Sequence, residues 1–333
     1  RRHTRYISVT GVQTCALPIY VALIKDAVPN GQVSLTTNNQ VRVKIVSGSV
    51  SSIAKQLKQQ NIDTTWFEVQ LLSRLMLISK KLKPGIYDLK PGQSITAILL
   101  KLSKGDSVKF SIRLIEGWTF LQFKAAIDKA PELSKEFQKS SPKEIIRKLG
   151  INEGYAEGLF FPDTYIYEPG DSDRTIYTKA YQAMRIHLEK AWAERSDQVK
   201  LVNMQELLKL ASIIEKETGL KQDQKMISSV FHNRLRIGMP LQTDPSVIYG
   251  LGLSFDGNLR KKDLLKDTPY NTYTRYGLPP TPICMPSKDA LIAAANPAES
   301  KMLYFVARGD GSSEFSETLH AHEKAVRRYQ LGN

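Results

Sequence analysis

Residues 207–219, Leu-Leu-Lys-Leu-Ala-Ser-Ile-Ile-Glu-Lys-Glu-Thr-Gly, constrain the fold of this chain more than any other stretch. Leu207, Leu210 and Ile214 recur at helical spacing, which predicts a helix with one buried face. Three residues beyond Ile214 the same face reaches Glu217. Burial disfavours a carboxylate, and so do the unpaired carbonyls at a helix end, which the expected stop at Gly219 would put close by. Glu217 is therefore expected to have a raised pKa and to suit a general acid, with the neighbouring Lys216 opposing the shift. Glu215 lies two residues back, about 200° around a helix of roughly 3.6 residues per turn, so the two acids cannot face one site as a pair. The competing reading is a surface Glu-Lys-Glu cluster that ends an ordinary core helix.

The 333 residues allow two domains, and 41% hydrophobic with 24% charged residues is an ordinary globular composition. A formal net charge of +14 implies attraction to polyanions, whether nucleic acid, anionic lipid or an acidic wall polymer. No arginine-rich run or zinc-finger spacing supports nucleic acid as a partner. The first 20 residues have neither sustained periodicity nor an apolar run long enough for a membrane helix or signal core. Residues 11–19, Gly-Val-Gln-Thr-Cys-Ala-Leu-Pro-Ile, resemble translated sequencing-adaptor read-through. Residues 1–20 are thus expected to be non-native and the natural N-terminus to be missing. Setting Cys15 aside leaves Cys284 alone, with no disulfide framework. The five histidines, at 3, 187, 232, 320 and 322, form no recognised metal spacing, and neither a metal nor a cofactor is expected.

The fold class expected is α+β, with a small module over 41–112 and a mixed α+β domain over 113–333. Val41, Val43 and Ile45 alternate with Arg42 and Lys44 as in a half-buried strand. A helix through Ile53, Ala54 and Leu57 follows, then a second, capped by Thr64 or Thr65, through Trp66, Val69, Leu72, Leu75 and Met76. A strand over 86–89, a helix over 94–104 and a strand over 109–115 complete the series. In the second domain, residues 157–165, Glu-Gly-Leu-Phe-Phe-Pro-Asp-Thr-Tyr, carry acids among aromatics. Glu157 and Asp163 are candidates for lining a glycan groove, since aromatic faces stack on sugar rings while acids accept from hydroxyls; a turn with its aromatics in the core is the alternative. Helices are expected over 175–194 and 226–235. Gln242, Thr243 and Asp244 precede Pro245 and suit hydroxyl or acetamido recognition, or else cap a helix running through Tyr249. Residues 270–276, which include Asn271 and Tyr273, read as an extended polar strand leading into a proline-stiffened loop. A small-residue helix over 290–296, a buried strand over 303–307 and a final helix within 314–330 end the chain.

Six segments in this order resemble the YceG-like (MltG) endolytic murein transglycosylases: 213–218 (Ile-Ile-Glu-Lys-Glu-Thr), 233–239, 241–245 (Leu-Gln-Thr-Asp-Pro), 270–273, 277–280 and 303–306. The resemblance covers roughly residue 41 to the end. It implies a LysM-like module over 41–112, a YceG-like catalytic domain over 113–333, and peptidoglycan glycan strands as substrate. It also implies one N-terminal transmembrane helix in the bacterial inner membrane, absent from this sequence, a periplasmic catalytic domain, and contact with peptidoglycan synthases or division proteins. The family's catalytic glutamate maps onto Glu217. The implied reaction cleaves between N-acetylmuramic acid and N-acetylglucosamine without water, leaves 1,6-anhydro ends and limits nascent strand length. Gln242, Thr243, Asp244, Tyr249, Asn271 and Tyr273, with Glu157 and Asp163, are the candidate substrate-binding residues. A hydrolytic muramidase with Asp244 as second carboxylate, or a non-catalytic wall-binding scaffold, are the alternatives.

Overall fold

The computed structural model describes residues 26–28, 40–46 and 48–331. The stretch expected to be non-native, 1–20, lies outside the described residues. The chain divides into two compact units, one running up to Phe110 and taking in Tyr167–Gly170, the other made of Ser111–Ile166 and Asp171 onward.

The first unit contains β1 (Val41–Ile45), α1 (Val50–Gln59), α2 (Trp66–Leu75), β2 (Gly85–Leu89) and α3 (Ile95–Lys104). β1 and β2 pair antiparallel, with Val41 opposite Leu89 and Val43 opposite Tyr87. The period-two pattern turns Val41, Val43 and Ile45 into the core. On the other face Arg42 meets its register partner Asp88 at 2.7 Å. Each helix starts where a hydroxyl can accept from an otherwise orphaned amide: Ser49 from Ser52, Thr65 from Glu68 and Ser94 from Ala97. Thr65 rather than Thr64 takes this role in α2, because the Glu68 carboxylate reaches back to the Thr65 amide and completes a capping box. Ile53, Leu57, Val69, Leu72, Leu89, Ile98, Leu99 and Leu102 close over Tyr87 in one continuous core.

The second unit is mainly helical. After β3 (Phe110–Arg113) come α4 (Phe120–Lys129), α5 (Pro142–Lys148), β4 (Thr164–Tyr167), α6 (Asp173–Ala193), α7 (Met204–Glu217), α8 (Lys221–Arg236), α9 (Asp244–Leu251), α10 (Lys261–Leu265), α11 (Lys288–Ala295), β5 (Tyr304–Ala307), β6 (Ser313–Ser316) and α12 (Leu319–Gln330). β3 pairs with β4 and β5 with β6, each as a two-stranded sheet. The central helix is α7. It packs on α6, α8, α9 and α11, and Leu207, Leu210, Ile213 and Ile214 are wholly buried there. The small side chains Ala290, Ala293 and Ala294 let α11 approach α7 closely. At Gly158, where φ is +77°, a Cβ would meet Pro282 at 2.5 Å, so only glycine lets the 157–165 loop lie against the proline-stiffened loop.

Several expectations are corrected. Residues 270–276 are turns, not an extended strand, because the Asn271 side chain folds the segment on itself by donating to the carbonyls of Leu264 and Lys266 and accepting from the Tyr273 amide. α7 does not stop on a left-handed glycine; Thr218 turns extended at φ −145°, directly after Glu217. α8 begins at Lys221, five residues before the expected start at Met226. The buried strand expected over 303–307 is half-exposed, since β5 has β6 as its partner and only Val306 is buried. Of the two readings of 157–165, the turn with its aromatics in the core is the one observed: the rings of Phe160, Phe161 and Tyr165 are buried.

Candidate active site

The apolar stripe of α7 ends on Glu217, as its spacing requires. Its carboxyl keeps some accessible surface, yet the protein packed around it pushes the pKa up to about 7. Three neighbours modify this: a hydroxyl contact from Thr243 lowers it, the negative charge of Asp244 raises it, and the cation of Arg234 lowers it. Glu215 goes elsewhere. It accepts from the amide and hydroxyl of Ser287, at 3.0 and 2.5 Å, and so anchors the start of α11.

Thr243 holds the N-cap position of α9 but caps nothing with its side chain. Its hydroxyl oxygen is buried and has no fully formed hydrogen bond, which leaves it free for the Glu217 carboxyl. Its backbone is locked instead: the Thr243 amide donates to Thr272 Oγ1 at 3.0 Å, and Ser246 Oγ donates to the Thr243 carbonyl at 2.8 Å. The preceding Gln242 sits at φ +51°, a left-handed conformation that is unfavourable for a residue with a Cβ, with its amide donating to the Thr272 carbonyl and its side chain exposed. This strained turn aims Thr243 and Asp244 toward α7.

Asp244 is exposed and accepts from the Tyr273 hydroxyl at 2.6 Å. Burial, then the Asp244 bond and the charge of Glu217, push the Tyr273 phenol well up, so it stays a donor at neutral pH. Arg234, from the C-terminal turn of α8, is the residue that sequence reasoning missed. Its Nε donates to the Leu303 carbonyl and one terminal nitrogen to the Leu241 carbonyl, each at 2.7 Å, while the guanidinium lies 5.4 Å from the Tyr304 ring centre. No carboxylate is its hydrogen-bonding partner in these contacts, so its charge acts on Glu217 and Tyr273. The signal was an arginine on the inward face of an amphipathic helix, which periodicity alone reads as a surface residue.

The other candidates divide. Glu157 is buried, accepts from the Phe120 amide at 2.9 Å and the Tyr249 hydroxyl at 3.0 Å, and is pushed up to about 7 by desolvation against those bonds. Tyr249 packs edge-on to Tyr270, with ring centres 4.9 Å apart. Asn271 is wholly buried, its amide taken up by the loop. Asp163 is exposed just before β4, accepts from the Thr164 amide at 2.6 Å, and helps line a cavity of about 330 Å³ with Arg113 and Glu116. Glu217, Thr243, Asp244, Tyr273 and Arg234 therefore interact as one group; Glu157 and Tyr249 form a second, and Asn271 supports the first from beneath. Among the described residues no three His, Cys, Asp or Glu side chains cluster as a metal ion would need.

A carboxyl near neutral pKa, flanked by an anion and a fixed cation and backed by a loosely held hydroxyl, can give and regain a proton.

Residues 43–328 match the YceG-like family. The chain is 33% identical over 308 residues to an endolytic murein transglycosylase of Bacillus subtilis, covering 87% of this chain and 84% of that protein. It is 28% identical over 281 residues to one of Streptococcus pneumoniae, covering 74% of this chain but only 50% of that longer protein. The crystal structure of a YceG-like protein from Listeria monocytogenes is similar with a TM-score of 0.54 and 30% identity, covering 86% of this chain and 98% of that one. No helix among the described residues is long and apolar enough to cross a membrane. On the extent of these matches, the chain belongs to the YceG-like family.

Proposed function

We propose that this protein is an endolytic murein transglycosylase that cuts the bond between N-acetylmuramic acid and N-acetylglucosamine inside a glycan strand, with Glu217 as both acid and base. The observation that carries the reading is a single carboxyl held at a pKa of about 7 on the end of a buried helical stripe, in a chain similar over most of its length to proteins named for that activity. In the first half, protonated Glu217 gives its proton to the bridging oxygen as the bond to the anomeric carbon breaks. In the second, the carboxylate takes the proton of the muramic sugar's own primary hydroxyl while that oxygen closes onto the anomeric carbon. The proton is returned and water is not consumed. Arg234 favours the carboxylate required in the second half. Gln242, Asp244 and Tyr273 present polar groups to the sugars at the rim.

Hydrolysis is the second reading, because Asp244 lies within electrostatic reach of Glu217 and hydrolases use paired carboxyls about 5–9.5 Å apart. Mass analysis of products from purified sacculi separates the two: anhydro-muramyl ends support transglycosylation, and reducing ends convert the enzyme to a muramidase. A protein that binds sacculi and releases nothing would instead be a scaffold. The first unit, with its strand-helix-helix-strand order, is read as a LysM-like module that holds glycan. The whole is read as acting at the periplasmic face of the inner membrane, limiting strand length beside the synthases.

A further inference from the structure

The described residues of the first unit leave an apolar face exposed. Along α2, Phe67, Leu71 and Leu75 follow at intervals of four and form one stripe; Phe67 and Leu75 are 58% and 59% exposed. Just past the helix Leu77 is 82% exposed and sits at φ +56°, where a Cβ is disfavoured and glycine is the usual occupant. A leucine there is unfavourable both for the backbone and for its hydration, and among the described residues it adds nothing to the core. Arg74, Lys80 and Lys81, all exposed, lie within six residues of Leu75 in the chain, at this end of the stripe. The acid on the helix, Glu68, is turned away to the Thr65 amide at 2.7 Å. Residues 40–110 hold twelve Lys and Arg against four Asp and Glu.

We propose that this face is a docking surface for an anionic lipid bilayer, independent of the catalytic reading: Leu75, Leu77 and Phe67 enter the headgroup boundary while Arg74, Lys80 and Lys81 pair with lipid phosphates. Aliphatic side chains accompanied by cations fit that occupant by charge complementarity. A sugar polymer would call for a flat aromatic floor with polar partners; Trp66 and Phe67 are exposed at the start of α2, but the end of the face that the cations accompany is Leu75 and Leu77. Docking would hold the first unit flat against the membrane surface whatever else tethers the chain.

The test is flotation of the full chain with vesicles of pure phosphatidylcholine or of phosphatidylcholine with phosphatidylglycerol, at low and high salt. The wild type is expected to float with the anionic vesicles, at low salt, and not with the neutral ones. Leu77→Gly relieves the backbone and so keeps the fold; together with Leu75→Ser it should cut partitioning by about tenfold, as should Lys80→Glu with Lys81→Glu. Unchanged thermal midpoints, and unchanged release of soluble muropeptides from sacculi, separate this result from misfolding and from failure of the catalytic reading. Flotation that is absent, that is indifferent to lipid charge, or that survives both pairs of substitutions overturns the proposal. So does loss of sacculus binding in these variants without loss of vesicle binding, which would assign the face to glycan.

Discussion

The Tyr273 hydroxyl donates to Asp244 Oδ1 at 2.6 Å, and this pair stands beside the Glu217 carboxyl, whose pKa the Asp244 charge raises. Arg234 acts on the same carboxyl with the opposite sign. The proton on Glu217 is thus set by burial and trimmed by two charges of opposite sign on separate elements.

If protonated Glu217 starts the reaction, kcat/KM falls as pH rises through about 7. Asp244→Asn removes an anion and is expected to move that limb to lower pH; Arg234→Met removes a cation and should move it higher. Arg234→Lys keeps the charge but loses the fork that holds Leu303 and Leu241, so it should lower thermal stability while leaving the limb near its wild-type position. Rates of anhydro-muropeptide release between pH 5.5 and 9 decide the matter; limbs moving in the same direction for Asn and Met would remove Glu217 from the role.

Glu217→Gln should lower turnover roughly 10²–10⁴-fold, the range of a lost general acid and base, while sacculus binding and the circular dichroism spectrum stay as in the wild type. Glu215→Ala makes the contrast. It strands the Ser287 amide and hydroxyl and should destabilise the fold by about 1–3 kcal/mol with little loss in specific activity of the folded protein. A folded but inactive Glu215→Ala enzyme contradicts the division of roles between the two acids.

Glu157 predicts a pH dependence of stability. Its folded pKa of about 7 lies above its ordinary 4.5, so the native state keeps a proton that the unfolded chain releases. Below about pH 4.5 both states are protonated. Stability then falls as pH rises through 7, by on the order of 3 kcal/mol at most, and levels off above. Glu217 adds a slope of the same sign, so Glu157→Gln should remove part of the loss and the double variant with Glu217→Gln more of it. Urea denaturation at pH 5 and pH 7.5 measures this, and a wild type more stable at the higher pH would refute it.

Gln242→Gly relieves a left-handed backbone and is expected to leave stability unchanged or raise it by up to about 1 kcal/mol, because the gain in the folded state is offset by a floppier unfolded chain. Its exposed amide is a candidate contact for sugar, so KM for glycan should rise while the position of the pH limb holds. A drop in thermal midpoint would mean that the Gln242 side chain, not its backbone, supports the turn.

The helix 204–217 and the orientation of its two acids were legible in the sequence because a buried stripe repeats along the chain, and extending Leu207, Leu210 and Ile214 leads to Glu217 by geometry alone. β1, α1, α2 and β2 were legible for the same reason, their alternation and caps being local. The 270–276 turn was not, since what bends it is the Asn271 side chain reaching back to the Leu264 and Lys266 carbonyls, and an amide among aromatics looks the same in a strand. The end of α7 was misjudged by a local rule too: Gly219 is a plausible stop, but Thr218 turns the chain first.

What the sequence by itself determined is the inward stripe of α7 and which of its two terminal acids continues that stripe, because periodicity and capping act over a few residues. Only the tertiary structure decided what surrounds that acid. Arg234 arrives from α8, Thr243 and Asp244 from the strained turn that opens α9, and Tyr273 from a loop about thirty residues further along, and burial among them sets the proton affinity of Glu217. Desolvation and charge depend on distance in space, which a linear spacing does not record.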